Sequence, residues 1–454
     1  MSLSVDNRQV VVTGAGLSGR AAAELLADRG ARVTLTDRVA VAGTDGLRAR
    51  GIAIEIGAHR PALFAAADLV VLSPGVSPTE PAVQAARAAG VPVIGEIELA
   101  SRWLAGRLIA ITGTKGKSTT TTLAARMLQD AGFDAPAGGN IGLALSAQVA
   151  ASTPDSLHVV EVSSFQLETT DRFHPWIAVL LNLSPDHLDR HASFEEYAAA
   201  KARVFANQTP ADWAVINADD PAALALARRG RARRLDFALE ARLAEGVTVE
   251  DGAIVRRAGA QITPLVPLAS VGLPGRHLLS DVLAAVAVGT LAGVPPAVMR
   301  GTVEAFRGLE HALERVAEIG GVQFVNDSKA TNIAATRRAL ESFDRGVVAI
   351  MGGRFKGGRF EDLRDLVRAR ATGVVAIGEA APQIHAALGD LVPVSDAASM
   401  ADAVRQAARM AAPGGVVLLA PACASFDMFK DYADRGRAFK EAVKGIGREE
   451  VRQP

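Results

Sequence analysis

The chain has 454 residues, 49% of them hydrophobic, which is material for about three domains of ordinary size. Its 49 Lys and Arg balance 49 Asp and Glu, so no global field favours nucleic acid or an anionic membrane surface, and the Arg-rich stretch 228–234 reads as a solvated loop. The single cysteine, Cys423, excludes an internal disulfide, and there is neither an apolar signal core nor a stretch long enough to span a bilayer, so the expected compartment is the cytoplasm.

Residues 1–99 open with a strand, Gln9 to Thr13, then the turn Gly14-Ala-Gly16-Leu-Ser-Gly19 and an alanine-rich helix ending near Gly30. This is a βα turn of the dinucleotide-binding kind, whose glycines let backbone approach a pyrophosphate. The next strand, Arg32 to Thr36, delivers Asp37 where such domains bind a ribose hydroxyl. A further strand, Asp68 to Leu72, runs into Ser73-Pro74-Gly75-Val76 at the ligand edge. A nicotinamide cofactor and a nucleotide handle on a substrate both fit this stretch, which offers no hydride-transfer partner.

Residues 100–306 begin with a β-branched run that meets Gly113-Thr114-Lys115-Gly116-Lys117-Ser118-Thr119 and then a helix-forming stretch. The glycines turn backbone N–H groups toward an anion, and the helix adds its positive end. Lys117 would reach the β- and γ-phosphates of a nucleotide and Ser118 would ligate Mg²⁺. Ile111 stands where the longer phosphate-loop pattern has glycine. The loop Gly138-Gly-Asn140-Ile-Gly142 could reach a phosphate or sugar, and the strand His158 to Val162 carries Glu161 in an apolar run. A carboxylate there is costly unless paired or metal-bound, and hard oxygen donors suit Mg²⁺. The strand Ile177 to Leu183 ends in Ser184-Pro-Asp186-His187-Leu-Asp189-Arg-His191. The helix Phe194 to Asn207 presents Lys201, by default a surface lysine, and the strand Trp213 to Asn217 leads into Asp219 and Asp220.

Residues 307–454 alternate apolar runs (Val322 to Val325, Val347 to Met351, Val374 to Ile377, Val416 to Leu419) with helical patterns, which predicts parallel βαβ units. Polar residues gather at strand ends: Asn326 to Asn332, Gly352 to Gly357 and Pro421 to Asp427.

In order and spacing, the motifs at Gly113–Thr119, Gly139–Gly142, Glu161–Thr169 and Asp186–His191 resemble the Mur ligases, and Ser163-Ser-Phe-Gln-Leu-Glu-Thr169 resembles the branch that adds D-glutamate. The resemblance covers the whole chain. It implies an α/β fold of three domains: a Rossmann-like UDP-substrate domain (1–99), a P-loop ATPase-type domain with a mostly parallel sheet (100–306), and a Rossmann-like amino-acid domain (307–454). The implied reaction is ATP-dependent addition of D-glutamate to UDP-N-acetylmuramoyl-L-alanine through an acyl-phosphate, with two Mg²⁺, by a monomer that needs neither nucleic acid nor membrane.

By the same resemblance Leu17, Ser18, Asp37, Arg38, Gly75, Asn140 and His187 bind the UDP-substrate. ATP falls to Gly113, Thr114, Lys115, Gly116, Lys117, Ser118, Thr119, Asn217, Asp219 and Asp281, and metal to Ser118, Glu161, His187 and a carbamylated Lys201. Lys329, Thr331, Lys356, Ser425 and Tyr432 hold D-glutamate, and Lys117, Glu161, His187, Lys201 and Lys329 are catalytic. Three positions depart from the family. Leu278 and Asp281 replace asparagines near the adenine, and Ala312 replaces an arginine whose phosphate contact is either absent or supplied by Arg315.

The alternatives are fewer than the motifs. A folylpolyglutamate synthetase would begin near its phosphate loop, the diamino-acid-adding Mur ligase would carry Asp-Asn-Pro-Arg, and a catalytically dead nucleotide-binding regulator would not keep every metal ligand. Another Mur-type amino-acid ligase is the first alternative and an NAD-dependent oxidoreductase the second, against which the ATP-type loop and the missing hydride-acceptor site weigh.

Overall fold

The computed structural model describes residues 3–39, 43–187, 190–227, 230–272, 275–411 and 413–450, without the side chains of 277, 334 and 447–450. Leu188 and Asp189 of the histidine motif therefore lie outside the described residues, as do positions 228 and 229 of the Arg-rich stretch. Two compact units form, residues 1–272 with 276–305, and 273–275 with 306–454.

The first unit holds two sheets. In the N-terminal one, β1 (Gln9–Thr13), β2 (Arg32–Asp37), β3 (Ala53–Ile56), β4 (Leu69–Leu72) and β5 (Val93–Gly95) lie in the order β3-β2-β1-β4-β5, all parallel. Val10, Val11 and Val12 are all buried because the strand is covered on both faces, which is why it reads as a continuous apolar run. The order reverses between β1 and β4, and a crevice opens there at the carboxyl ends.

The second sheet contains β6 (Arg107–Thr112), β7 (Ala137–Gly139), β8 (Leu157–Glu161), β9 (Ile177–Leu180), β10 (Trp213–Asn217), β11 (Arg233–Phe237), β12 (Glu245–Glu250), β13 (Ala253–Ala258) and β14 (Gln261–Pro267). Its order is β14-β13-β12-β11-β10-β9-β6-β8-β7. The pairings are parallel except for the hairpins β12–β13–β14, an extension that the apolar pattern did not announce. Pro264 and Pro267 lie in the edge strand β14, where a missing N–H disrupts no further pairing. Arg233 and Arg234 are exposed but start β11, so that part of the Arg-rich stretch is strand and not loop.

The second unit is built on β15 (Glu314–Ile319), β16 (Val322–Asn326), β17 (Val347–Gly352), β18 (Ala371–Ile377), β19 (Val394–Ala397) and β20 (Val416–Leu419), in the order β15-β16-β20-β17-β18-β19. The predicted parallel units are present, with β15 added as an antiparallel edge. Among the described residues no helix is long and apolar enough to cross a membrane.

Candidate functional site

The first cleft lies at the β1/β4 reversal, with a volume of about 610 Å³. Leu17, Ser18, Asp37, Arg38 and Gly75, which the resemblance assigns to the UDP-substrate, line it together with His59 and Glu80. The loop before the helix Leu17–Asp28 is very tight: a Cβ on Gly19 would fall 1.7 Å from Gly14 O. Asp37 Oδ2 accepts from Ala15 N at 2.6 Å and Oδ1 from Val39 N at 3.1 Å. Burial raises the Asp37 carboxyl, but the backbone N–H groups of Ala15, Val39 and Arg38 outweigh it and hold the pKa below the usual range. An anionic acceptor is thus kept ready at the position where a ribose hydroxyl would donate. Arg38 pairs with Glu80 at 2.6 Å. Asn140 and His187, assigned to the same ligand, lie on loops that follow β7 and β9 of the second sheet.

The second centre sits where β6, β8 and β9 end side by side. Because Ile111 is in register with Glu161, the loop after β6 and the end of β8 are neighbours. Ser118 Oγ donates to Glu161 Oε2 at 2.6 Å, and Asn140 Nδ2 donates to Oε1 at 2.7 Å. Glu161 is buried, and these two bonds supply the partners its sequence position demanded. A hydroxyl and a carboxylate in contact form a hard-oxygen donor set, which fits Mg²⁺. Among the described residues no group of three or more His, Cys, Asp or Glu is gathered for a metal, so a second ion at this edge would need an additional anionic ligand.

Lys201 is not on the surface. It is 2% exposed, its Nζ donates to Gly113 O at 2.8 Å, and Lys117 Nζ donates to the same carbonyl at 3.0 Å. Burial first, and then the neighbouring Lys117 charge, pull the Lys201 pKa down to about 7. Its Nζ lies 4.7 Å from the Tyr197 ring, whose hydroxyl donates to Thr114 Oγ1 at 2.9 Å and is pushed up to about 12 by burial. His187 has φ 53° and lies 6.5 Å from Tyr197 and 4.9 Å from Phe165, ring to ring. The structure therefore gathers Lys117, Ser118, Glu161, Lys201 and His187 around one loop. Tyr197, unremarked in the sequence, precedes Lys201 by four residues and so shares its helix face. Asn182 was also missed: its Oδ1 accepts from Lys115 N at 2.8 Å and its Nδ2 donates to Lys115 O at 3.1 Å, tying down the loop.

The residues assigned to the nucleoside end behave differently. Asn217 Nδ2 donates to Leu181 O at 2.8 Å and its Oδ1 accepts from Asp219 N at 3.0 Å. The Asp219 carboxylate accepts from the N–H groups of Leu239, Glu240 and Ala241. Both side chains are committed to the fold. Asp281 faces the phosphate loop, for a Cβ on Gly116 would fall 2.0 Å from its Oδ1. Burial raises its pKa to about 8, against the opposing pull of Lys117 and Thr120.

This makes a stability prediction. Between pH 4 and 8 the folded protein keeps a proton on Asp281 that the unfolded chain has released, so stability falls as pH rises through that window. Asp281→Asn removes the penalty; its melting temperature should exceed that of wild type by an increment that grows from pH 5 to pH 8. An increment independent of pH would place the proton elsewhere.

In the second unit the loops after β16, β20 and β17 are adjacent and joined by backbone bonds, Ala422 N to Ala330 O at 3.0 Å and Gly352 N to Pro421 O at 2.8 Å. Lys329 and Lys356 are exposed on them, Thr331 is half-buried, Ser425 is buried and Tyr432 is 41% exposed. The sequence reading missed Arg435, which is 1% exposed. Its guanidinium donates to Ser328 Oγ (3.0 Å), Ser328 O (2.9 Å), Gly352 O (3.4 Å) and Cys423 O (3.1 Å), one cation holding all three loops. Burial lowers its pKa to about 10 and raises that of the Cys423 thiol to about 12, which leaves the cysteine inert. Arg315, the candidate to stand in for the arginine replaced by Ala312, is exposed and pairs with Glu318.

Comparison with known proteins gives concordant matches. Residues 8–95 match the Mur ligase MurD-like N-terminal domain, 111–289 the Mur ligase middle domain, and 313–423 the Mur ligase glutamate ligase domain. A curated protein of Acidobacterium capsulatum named UDP-N-acetylmuramoylalanine–D-glutamate ligase is 47% identical, with 97% of each chain covered. One of the same name from Koribacter versatilis is 44% identical over 99% of this chain and 100% of its own. Among solved structures, the UDP-N-acetylmuramate-alanine ligase of Thermotoga maritima superposes with TM-score 0.60 at 19% identity, covering 97% of this chain and 100% of that one. At that identity the likeness concerns the fold.

Proposed function

The chain belongs to the Mur ligase family, and from that premise we propose its reaction: ATP-dependent joining of D-glutamate to UDP-N-acetylmuramoyl-L-alanine in peptidoglycan precursor synthesis, the two substrates being those in the name of its curated relatives. The observation that carries the reading is the convergence of Lys117, Ser118, Glu161 and Lys201 at one sheet edge, apart from a nucleotide-sized cleft. An NAD-dependent oxidoreductase would use the cleft alone and leave that convergence without a purpose.

A carboxylate is a poor electrophile, so its conversion to an acyl-phosphate by ATP must precede amide formation. Lys117 sits at the phosphate loop to offset charge developing on the transferred phosphoryl group. Bound Mg²⁺ would supply further charge neutralisation at the phosphates, with Ser118 and Glu161 as its protein ligands. We assign Lys201 a carbamate: its neutral amine adds CO₂ and loses a proton, turning one of two crowded cations into an anion that, with His187, would hold a second ion. The amine of D-glutamate then attacks the acyl-phosphate and inorganic phosphate leaves. We further propose domain boundaries after residues 99 and 306, the cytoplasm as the compartment, and a monomer.

ADP release in the presence of UDP-N-acetylmuramoyl-L-alanine and a panel of amino acids tests this reading, with D-glutamate the expected substrate; equal use of L-glutamate, L-lysine or L-alanine would assign another branch of the family. If Lys356 and Ser425 grip a D-glutamate carboxylate, Lys356→Ala and Ser425→Ala should raise its KM roughly ten-fold and leave that for ATP unchanged.

A further inference from the structure

Arg190 follows His187 by three residues, and the reaction just outlined does not use it. Its guanidinium reaches both sheets of the first unit. Nη1 donates to Pro74 O at 3.2 Å and Nη2 to Val76 O at 3.4 Å, two carbonyls of the loop after β4 that lines the first cleft. Nη2 also donates to Glu168 Oε2 at 3.1 Å, and the guanidinium lies 4.2 Å from the centre of the Phe165 ring. Phe165 is in turn the ring beside His187, at 4.9 Å. Glu168 Oε1 pairs with His191 Nδ1 at 3.2 Å, and the turn itself is closed by Arg190 N and His191 N, each donating to His187 O at 3.0 Å. The Arg190 side chain is only 16% exposed, so water competes weakly for these bonds and they hold geometry better than a surface ion pair would.

We propose that Arg190 is a positioning residue that couples occupancy of the first cleft by the UDP-substrate to binding of ATP at the phosphate loop. The proposal rests on the function given above. A ligand seated against Gly75 fixes the loop whose flanking carbonyls Arg190 grips. Fixing those carbonyls fixes the guanidinium, and with it the Phe165 ring and the His187 turn beside Tyr197 and Lys201. Each ligand then lowers the ordering cost of the other, and the effect is necessarily reciprocal. Lysine would not serve. An ammonium can keep the charge, but it cannot stack on Phe165 while reaching two carbonyls and a carboxylate in one plane.

Calorimetry on the full chain tests the coupling, using UDP-N-acetylmuramoyl-L-alanine with and without a non-hydrolysable ATP analogue. Wild type should bind the substrate on the order of ten-fold tighter in the presence of the analogue. In Arg190→Lys, and independently in Phe165→Leu, that factor should fall to about one, while each ligand's affinity alone changes far less. A merely structural role would lower the melting temperature and weaken both ligands, leaving the factor as it was. Retention of the factor in a folded Arg190→Lys overturns the proposal, and so does its absence from wild type. If wild type does not bind the UDP-substrate at all, the function reading fails first.

Discussion

Lys201→Ala is expected to lose activity by on the order of a thousand-fold, and added acetate or propionate is expected to restore part of it. An unperturbed lysine has a pKa near ~10.4, which leaves on the order of one amine in a thousand neutral at pH 7 and able to add CO₂. Here the pKa is pulled down to about 7, so roughly half is neutral at that pH. The cause is local: the side chain is buried, and Lys117 competes for the same Gly113 carbonyl. A carbamate relieves that crowding by reversing one charge. The alanine variant leaves a hole at the place of the missing carboxylate, which a short carboxylic acid can enter. Steady-state ADP release measures both effects. Loss without rescue, in a variant that melts like wild type, would mean that the amine matters through its bond to Gly113 O; full unrescued activity would make Lys201 a packing residue only.

Gly116→Ala should abolish tight ATP binding, with affinity reduced on the order of a hundred-fold. Gly116 has φ 82°, a left-handed conformation that costs a non-glycine residue about 1–3 kcal/mol at a constrained site. The larger effect is steric. The added Cβ would lie 2.0 Å from Asp281 Oδ1 and 2.8 Å from its Cγ, so either the phosphate loop or a buried carboxyl must move. Gly132 provides the control at the other end of the same helix, with φ 91° and nothing within 4 Å of an added Cβ. Gly132→Ala should therefore lose some stability and no ATP affinity, as measured by calorimetry with a non-hydrolysable analogue. Removing the obstacle in Gly116→Ala/Asp281→Ala should recover part of the binding. Equal affinities in the two single glycine variants would refute the steric argument.

The phosphate loop, Glu161 and the glycine turn after β1 could be read from sequence because each depends on short-range requirements: a left-handed backbone, a close approach, a carboxylate in an apolar strand. Trp213–Asn217 and Val416–Leu419 were legible for a similar reason, since strands covered on both faces become unbroken apolar runs. Lys201 illustrates the limit. On its helix it reads as a surface lysine, and only the packing of Tyr197 and Gly113 against it shows burial. Asn217 and Asp219 show another limit. Polar residues at a nucleotide edge read as ligands, and the backbone groups they also hold, up to 36 residues away, are connected by no spacing rule. The antiparallel β12–β14 extension escaped because its strands bury apolar side chains irregularly, and β14 exposes its first four residues.

The placement of Arg435 has a consequence for biosynthesis. The strands β16 and β17 emerge from the ribosome early, but β20, which lies between them, follows only after some sixty further residues have been made. Until it inserts, the edges of β16 and β17 have no shared neighbour, and the loops bearing Lys329 and Lys356 have nothing to hold them in register. Arg435 comes later still, on the helix Tyr432–Glu450, and fastens Ser328, Gly352 and Cys423 together. The loops proposed for the amino acid thus acquire their arrangement only after that helix has been made, through contacts of long sequence separation that are slow to form. A nascent chain whose phosphate loop has already folded would have no ordered place for the amine that must consume the acyl-phosphate.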